Sequence, residues 1–455
     1  MTTLPKPSRS RALPGLLTLS LALAAALLAM AAPARAQSLV TLYESARAFD
    51  ASYQSAKLQY DANIARAEQA KAGILPTAGL AAGVSRTDFD NTNPAINRSF
   101  STQNATLTAS QPLYRPGNWA TYEQGIKQVN LAKAQLDAAE QDLIVRASQS
   151  YFDVLAAQDT LTFVRAQKAA VAEQLASAKR NFEVGTSTIT DTREAQARYD
   201  LVIAQEISAE NDLRVKKIAL DQLVGKTEAQ PKGLQAPVNL PTMVPLDVNA
   251  WVDQSTQIHP AIRQAQSGLE IAELEVAKAE AGHKPTLDLT ASYNLTRNPA
   301  GTATSLQPAA SRTNTSNIGL LFNLPLFAGF ATQNRIRETL ALKDKAQSDL
   351  EGARRTVALG TRTAYFGVLS GQGQVKALEA AELSSQSALD ANKLGYQVGV
   401  RINIDVLNSQ SQLFQTKRDL AQARYNVLLG GLRLRQANGS LSPADLQPID
   451  ALLVK

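Results

Sequence analysis

The stretch LGYQVGVRINIDVLNSQSQLF, from Leu394 to Phe414, decides the fold. A long helical pattern ends at Gly395, and Gly399 with the β-branched residues after it interrupts the helix. A second helical pattern follows, with apolar residues seven positions apart, so the stretch predicts a long helical hairpin whose returning arm carries a coiled-coil seam. The seam residues are Val406, Leu413, Leu420, Val427 and Leu434.

A similar stretch occurs earlier in the chain, which indicates an internal duplication. Residues 182–201 read FEVGTSTITDTREAQARYDL, and Gly399 and Asp405 lie 214 positions after Gly185 and Asp191. The motif SYFDVL returns as AYFGVL with the same offset. Self-similarity of this kind is typical of one structural unit written twice. We therefore predict a first repeat at 37–225, a Pro-rich linker at 226–247, a second repeat at 248–440 and an irregular C-terminal tail at 441–455.

The N-terminal segment has the pattern of a secretory signal peptide, which we expect to span residues 1–36. Basic residues precede an apolar run from Leu16 to Ala32, and Ala34-Arg35-Ala36 offers a small-residue cleavage site. An uncleaved membrane anchor is the alternative. The segment carries four cations, and without them the net charge falls from +6 to +2, which argues against nucleic-acid binding. These cations are Lys6, Arg9, Arg11 and Arg35.

Each repeat contains two segments in which apolar and polar residues alternate, and this period of two predicts β-strands. The first pair is 77–87 and 102–111, around the polar loop FDNTNPAINRSF, and the second pair is 286–296 and 314–324, around a polar loop at 297–313. Strands of about ten residues with apolar-out, polar-in alternation are typical of a membrane-spanning β-barrel. Flanking aromatic residues favour that interpretation over a half-buried sheet in a soluble domain. They are Tyr114, Trp119, Phe327 and Phe330.

Long helical runs follow each strand pair, at 118–179 and 332–394, and each would extend roughly 90 Å. Four strands cannot close a barrel, and an open sheet edge in lipid leaves backbone groups unpaired. We therefore expect an α+β membrane protein that forms a homo-oligomer, with about eight strands from two chains or about twelve from three. The polar face of the strands favours an aqueous conduit that the helices continue away from the membrane.

The order of the predicted elements resembles the TolC family of outer-membrane channel proteins. This order is a β-hairpin, an aromatic junction, a long helix, a glycine turn and a returning helix, and it occurs twice. The segments FEVGTSTITD, LGYQVGVRINIDVL and QARYNVLLGGLRLRQANGSL are particularly similar, and the resemblance covers residues 37–440. It implies a homotrimer with a 12-stranded β-barrel in the outer membrane of a Gram-negative bacterium and a long α-helical barrel in the periplasm.

The resemblance also implies partners and a function. The partners would be outer-membrane lipid, a periplasmic adaptor protein and an inner-membrane transporter of the ABC, RND or MFS type. The function would be an exit duct for small molecules or unfolded proteins, and the sequence leaves open which of the two is exported. A periplasmic coiled-coil adaptor or scaffold without a pore is the alternative, but it does not explain four alternating strands.

Polar residues near the hairpin turns match the family's closing links. By resemblance, Tyr396 and Arg401 of the inner helix pair would bond with Asp191 and the Thr190 backbone of the outer pair. Such a contact is a charge-assisted hydrogen bond. Asp191 followed by Glu194 is also a fair capping box, and the two roles are compatible.

Two further features of these turns follow from the resemblance. Asp405 falls on the first position of an acidic ring that selects cations, whereas Asn408 occupies the second position, so three carboxylates instead of six should weaken cation binding. Gly185 and Gly399 match the helix tips that receive adaptor hairpins. The alternative for these glycines is a helix-breaking turn and nothing more.

The sequence does not predict an enzyme. His259 and His283 are the only histidines, cysteine is absent, and no carboxylate cluster or Gly-rich phosphate loop is present. We therefore expect no catalytic residues, no metal and no cofactor.

Overall fold

The computed structural model describes residues 37–93, 95–235, 237–302 and 309–454, so the predicted signal peptide lies outside the described residues. Two short helices, a β-hairpin and two long helices occur in each half, in the same order. The first half contains α1 Leu39–Phe49, α2 Ala51–Lys71, β1 Thr77–Thr92, β2 Ala95–Tyr114, α3 Pro116–Glu183 and α4 Ile189–Val224. The second half contains α5 Val248–Ile258, α6 Pro260–Glu280, β3 Thr286–Asn298, β4 Ser311–Asn323, α7 Ala331–Gln397 and α8 Asn403–Asn438.

The described strands form one antiparallel sheet in the order β1-β2-β3-β4, and the β2–β3 pairing joins the two halves. The register places apolar residues opposite one another, for example Leu80 opposite Leu107 and Leu107 opposite Tyr293. Polar residues line the other face, where the Thr106 hydroxyl donates to Asn294 Oδ1 at 3.0 Å. The predicted alternation is therefore confirmed, and the apolar face is the more exposed one, with Leu80 at 76%.

The loop predicted between the first two strands is wrong for most of its length. Strand β1 continues to Thr92 and β2 begins at Ala95, so residues 89–92 pair with residues 95–98 within FDNTNPAINRSF. The side chains there are polar and gave no apolar alternation, but the antiparallel ladder still satisfies the backbone groups. In the second hairpin the strands also extend beyond the prediction, to Asn298 and from Ser311.

An ion pair between an exposed arginine and a buried carboxylate marks the junction of sheet and helix. Arg115, just before α3, donates from Nε to Asp288 Oδ1 at 2.7 Å and from Nη2 to Asp288 Oδ2 at 2.5 Å. The Asp288 side chain is only 4% exposed. This two-bond geometry is the strong form of an arginine–carboxylate contact, and it ties the start of β3 to the end of β2.

The long helices are longer than predicted. Helix α3 has 68 residues and α7 has 67, each about 100 Å, and each folds back through a tight turn onto a 36-residue partner, α4 or α8. Helix α7 continues two residues past Gly395, where the sequence pattern had predicted its end. In the described part of the chain, no helix combines the length and hydropathy needed to cross a membrane.

The main apolar cluster lies where α1, α3, the end of α4 and α8 meet the C-terminal tail. The tail is not irregular as predicted: Pro443–Leu446 forms a 3-10 turn and α9 spans Gln447–Asp450. Leu446 and Ile449 are buried in that cluster, at 0% and 5% exposure. A segment this short gives too few residues for a helical period to be recognised in the sequence.

The described residues between the halves, 226–235 and 237–247, contact the helices and are not themselves helical. The Tyr151 hydroxyl donates to the Lys232 carbonyl at 2.8 Å, and the Tyr365 hydroxyl donates to the Leu246 carbonyl. These tyrosines are the repeated positions of SYFDVL and AYFGVL. The recurrence of this motif therefore reflects two equivalent anchors for one connecting segment.

His259 makes the stability of this region sensitive to acid. Its Nδ1 accepts from the Ala261 backbone N–H at 3.1 Å and caps α6, and burial lowers the pKa of His259 below its ordinary value. The folded form therefore binds protons less readily, so stability is full above a pH of about 6.5 and is lost as the pH falls through the folded pKa. The protonated ring cannot accept, and the loss of such a cap costs about 1 kcal/mol.

We expect the thermal stability of the assembled protein to fall between pH 7.5 and 5.5, and to fall less in a His259→Asn variant. Asparagine is a good N-cap and does not titrate, so it preserves the bond while removing its pH dependence. Thermal melting at both pH values measures the difference. An equal loss of stability in both proteins would contradict the role of His259.

Candidate functional site

The two hairpin turns at the ends of the long helices have the same backbone geometry. Gly185 and Gly399 both have φ of 77°, in the left-handed region that favours glycine. The Thr186 N–H donates to the Asn181 carbonyl at 2.8 Å, and the Val400 N–H donates to the Gly395 carbonyl at 2.9 Å. Both glycines thus end their helices in equivalent turns.

Apolar side chains around these turns face solvent. Val184 is 72% exposed, and Val398 and Val400 are 65% and 78% exposed. An ideal Cβ at either glycine has no heavy atom within 4 Å. The tips therefore present an open apolar surface with room for a second molecule.

Asp191 caps its own helix, but in a different way from the predicted box. Its carboxylate accepts from the Thr188 N–H at 3.0 Å and from the hydroxyls of Thr188 and Ser187, both at 2.8 Å. Thr188 is therefore the cap residue and Asp191 the third helical residue, which corrects the Asp191–Glu194 pairing. Partial burial opposes ionisation, but these hydrogen bonds outweigh it and hold the pKa of Asp191 below its ordinary value.

Within the described chain, Arg401 does not contact Asp191. Its Nη1 lies 3.7 Å from Asp405 Oδ2, one turn along the same chain segment. Gly395 makes room for this placement, because a Cβ there would lie 2.7 Å from Arg401 Cγ. Thr190 is exposed in the first turn of α4. Asp191, Tyr396 and Arg401 thus line one cleft, but Arg401 pairs with Asp405 in the first turn of α8.

Asn403 links the two hairpins and was not among the residues predicted from the sequence. Its side chain is fully buried, its Nδ2 donates to the Asp191 carbonyl at 3.2 Å, and its Oδ1 accepts from Gln174 Nε2. One amide thus joins α8 to both α3 and α4. Its position could have indicated this role, because Asn403 lies three residues before Val406 on the predicted coiled-coil seam. A polar side chain at a buried seam position requires hydrogen-bond partners.

Two further contacts cross between the hairpins. Asn181 Nδ2 donates to the Tyr396 hydroxyl at 3.3 Å, and Arg198 Nη2 donates to Asn408 Oδ1 at 2.8 Å. Asn408 is therefore not merely a missing carboxylate: it accepts a bond from the other hairpin. We call the contacts made by Asn403, Tyr396 and Asn408 the hairpin link.

A cleft of 630 Å³ lies between the two hairpins beside this link. Its lining is largely polar and includes Gln174, Asn181, Asp191, Tyr396, Arg401 and Asn403. In the described part of the chain no group of histidine and carboxylate side chains is arranged to hold a metal ion. The arrangement suits a separable contact between two helical hairpins.

The fold and the paired hairpins match one family of proteins. A family model described as outer membrane efflux protein matches residues 20–226 and 251–440. The chain belongs to this family. Outer membrane protein TolC of Vibrio cholerae is 32% identical over 433 residues, which cover 95% of this chain and 98% of that protein.

Two further proteins are similar to this chain, one in sequence and one in fold. The proteases secretion protein PrtF of Dickeya chrysanthemi is 29% identical over 427 residues, with 92% of this chain and 91% of that protein covered. The outer membrane protein VceC from Vibrio cholerae has the same fold, with a TM-score of 0.75 at 20% identity over 88% of this chain and 96% of that chain.

Membership confirms the fold class, the outer-membrane location and the function of an exit duct that the sequence predicted. The pore-less adaptor has no support from these relatives. They are channel proteins and not enzymes.

Proposed function

We propose that three copies of the chain form one outer-membrane exit duct that carries small molecules or unfolded proteins out of the periplasm. The observation that carries the proposal is the incomplete sheet: in the described residues, β1 and β4 are the two edges and neither has a further partner. An apolar outer face belongs in lipid, where an open edge costs several kcal/mol per unpaired group. Pairing of β4 with β1 of the next copy removes both edges.

The helices support closure by identical copies. Phe152 on α3 stacks on Tyr425 of α8 at 5.7 Å, inside one chain, and is 2% exposed. Its repeat counterpart Phe366 on α7 is 54% exposed, and Ile207 and Ile218 on α4 are 64% and 59% exposed. Packing α7 of one copy on α4 of the next would repeat the α3–α8 contact and bury these apolar faces.

Subunit counting by native mass spectrometry in detergent tests this assembly. We expect a trimer, whereas a monomer that stays in solution without detergent would overturn the duct. Export is tested separately in a strain that lacks the gene, by measuring accumulation of dyes and secretion of a large protein. The family description names efflux and PrtF is named for the secretion of proteases, so both cargo classes are measured. A strain normal in both respects would contradict the proposal.

We propose that the hairpin link and the residues around it close the periplasmic end of this duct. Asn403, Tyr396 and Asn408 fasten the inner hairpin to the outer one, and Asp191 and Thr190 lie at the same level. Asp405 would line the aperture as a ring of three carboxylates. Arg401 lies close to that carboxylate, and both side chains are part-exposed, at 57% and 33%, so the ring should bind cations only weakly.

We propose that the two tips receive the adaptor protein, which also connects the duct to an inner-membrane transporter. Support comes from the exposed valines at Val184, Val398 and Val400 and from the open space at Gly185 and Gly399. Exposed apolar side chains grouped at a turn are a feature of protein-binding surfaces.

A pair of variants at Gly399 tests docking. Asparagine tolerates the left-handed backbone and has a small side chain, whereas arginine adds bulk and charge at the same point. We expect Gly399→Arg to abolish export and Gly399→Asn to retain most of it, with equal amounts of trimer in the membrane. Export assays and crosslinking to the adaptor measure both effects. Normal export by Gly399→Arg would place the docking surface elsewhere.

A further inference from the structure

Two arginines lie directly opposite each other on the lipid-facing side of the second hairpin. Arg297 of β3 pairs in register with Arg312 of β4. Arg297 shares its face with Leu289, Tyr293 and Leu295, and Arg312 shares its face with Ile318, Leu320 and Phe322, because alternate residues of a strand point to one side. Both arginines are exposed.

Within one chain, no described carboxylate forms an ion pair with either arginine. Like charges directly opposite each other destabilise a strand pair. Among the described residues neither Arg297 nor Arg312 forms an ion pair, and the connection at 299–310 contains no Asp or Glu. Elsewhere in the sheet the arrangement differs, since Arg86 lies 3.8 Å from Asp88 and Arg98 donates to the Ala300 carbonyl.

The height of the pair along the sheet corresponds to the outer headgroup region. Strand β3 starts beside the helices, at the periplasmic side, and Leu287 is its first apolar residue on the lipid face. Arg297 lies ten positions after Leu287, roughly 34 Å along the strand or about 26 Å of height at a tilt near 40°. Barrel apolar bands are about 25 Å tall. The two guanidinium groups therefore reach the outer edge of the apolar band.

We propose that Arg297 and Arg312 together bind a phosphate group of the anionic glycolipid in the outer leaflet. A guanidinium presents its donors in a planar fork that matches phosphate oxygens, and a shared anion would relieve the repulsion between the two cations. The aliphatic stems lie on the apolar face while the charged ends reach the headgroups. This site goes beyond the duct itself and needs only the outer-membrane location.

Binding of purified lipopolysaccharide to the detergent-solubilised protein tests the site. Each surface arginine contributes about a factor of five to the binding of anionic lipid, so an Arg297→Gln/Arg312→Gln variant should bind roughly thirtyfold more weakly. The control Arg354→Gln/Arg355→Gln removes two exposed cations from α7, away from the sheet, and should bind like wild type. Equal affinity of the Arg297→Gln/Arg312→Gln variant and wild type would overturn the proposal.

A second measurement does not depend on a variant. Enzymatically dephosphorylated lipopolysaccharide should bind the wild-type protein as weakly as intact lipopolysaccharide binds the Arg297→Gln/Arg312→Gln variant. Inorganic phosphate alone should not displace intact lipopolysaccharide from the wild-type protein. Tight binding of the dephosphorylated lipid, or displacement by inorganic phosphate, would show that an outer-leaflet phosphoglycolipid is not the ligand. Single-channel conductance should stay unchanged in the variant, so loss of lipid binding is distinguishable from failure of the duct.

Discussion

An Asn403→Leu variant is expected to open the periplasmic end of the duct. Leucine has nearly the same shape, but it removes the bonds to the Asp191 carbonyl and to Gln174 Nε2. The loss of two hydrogen bonds weakens the closed arrangement by about 2 kcal/mol per protomer, a roughly thirtyfold shift in equilibrium. Single-channel recording in planar bilayers should show a severalfold rise in mean conductance.

The matched control is Asn426→Leu, the same change on the same helix. Asn426 accepts from Gln422 at 3.0 Å within α8 and makes no described bond to the other hairpin. Its conductance should equal that of wild type, and both variants should remain trimeric on native gels. A wild-type conductance in Asn403→Leu would mean that the hairpin link does not hold the aperture closed.

Much of the fold could be predicted because its signals are local. The turns at Gly185 and Gly399 need a residue that tolerates the left-handed backbone conformation. The strands alternate apolar and polar residues because one face contacts lipid. Both features can be recognised in short windows of sequence. The strand ends beyond the membrane could not be predicted in the same way. Residues 89–92 and 95–100 pair through their backbones, and a backbone ladder imposes little on polar side chains.

The site was predicted in position but not in its contacts. The residues near both turns were identified, yet Thr188 and not Asp191 begins the cap, and Arg401 pairs with Asp405. Those choices depend on distances of a few ångströms that the spacing of residues does not determine. Asn403 was overlooked because its partner Gln174 is 229 positions away, and a buried amide is recognised only once the packing is known.

An Arg198→Ala/Asn408→Asp variant is expected to make the duct sensitive to divalent cations. In the proposed trimer it would add three carboxylates next to those of Asp405, and removal of Arg198 leaves them free to bind cations. Each added charge contributes about 1 kcal/mol to cation binding in a solvated aperture, so the blocking concentration should fall roughly a hundredfold. Titration of magnesium or a larger divalent cation during single-channel recording measures this.

The single variants separate charge from geometry. In the wild-type protein Arg198 donates to Asn408 at 2.8 Å. In Asn408→Asp alone, the new carboxylate would therefore form a charge-assisted hydrogen bond with Arg198. The link should then strengthen, with a lower open probability and little added block. Arg198→Ala alone should loosen the link without block. If the double variant and wild type were blocked at the same divalent-cation concentration, Asn408 would not lie at the aperture. The weak cation affinity expected for this duct would then need another cause.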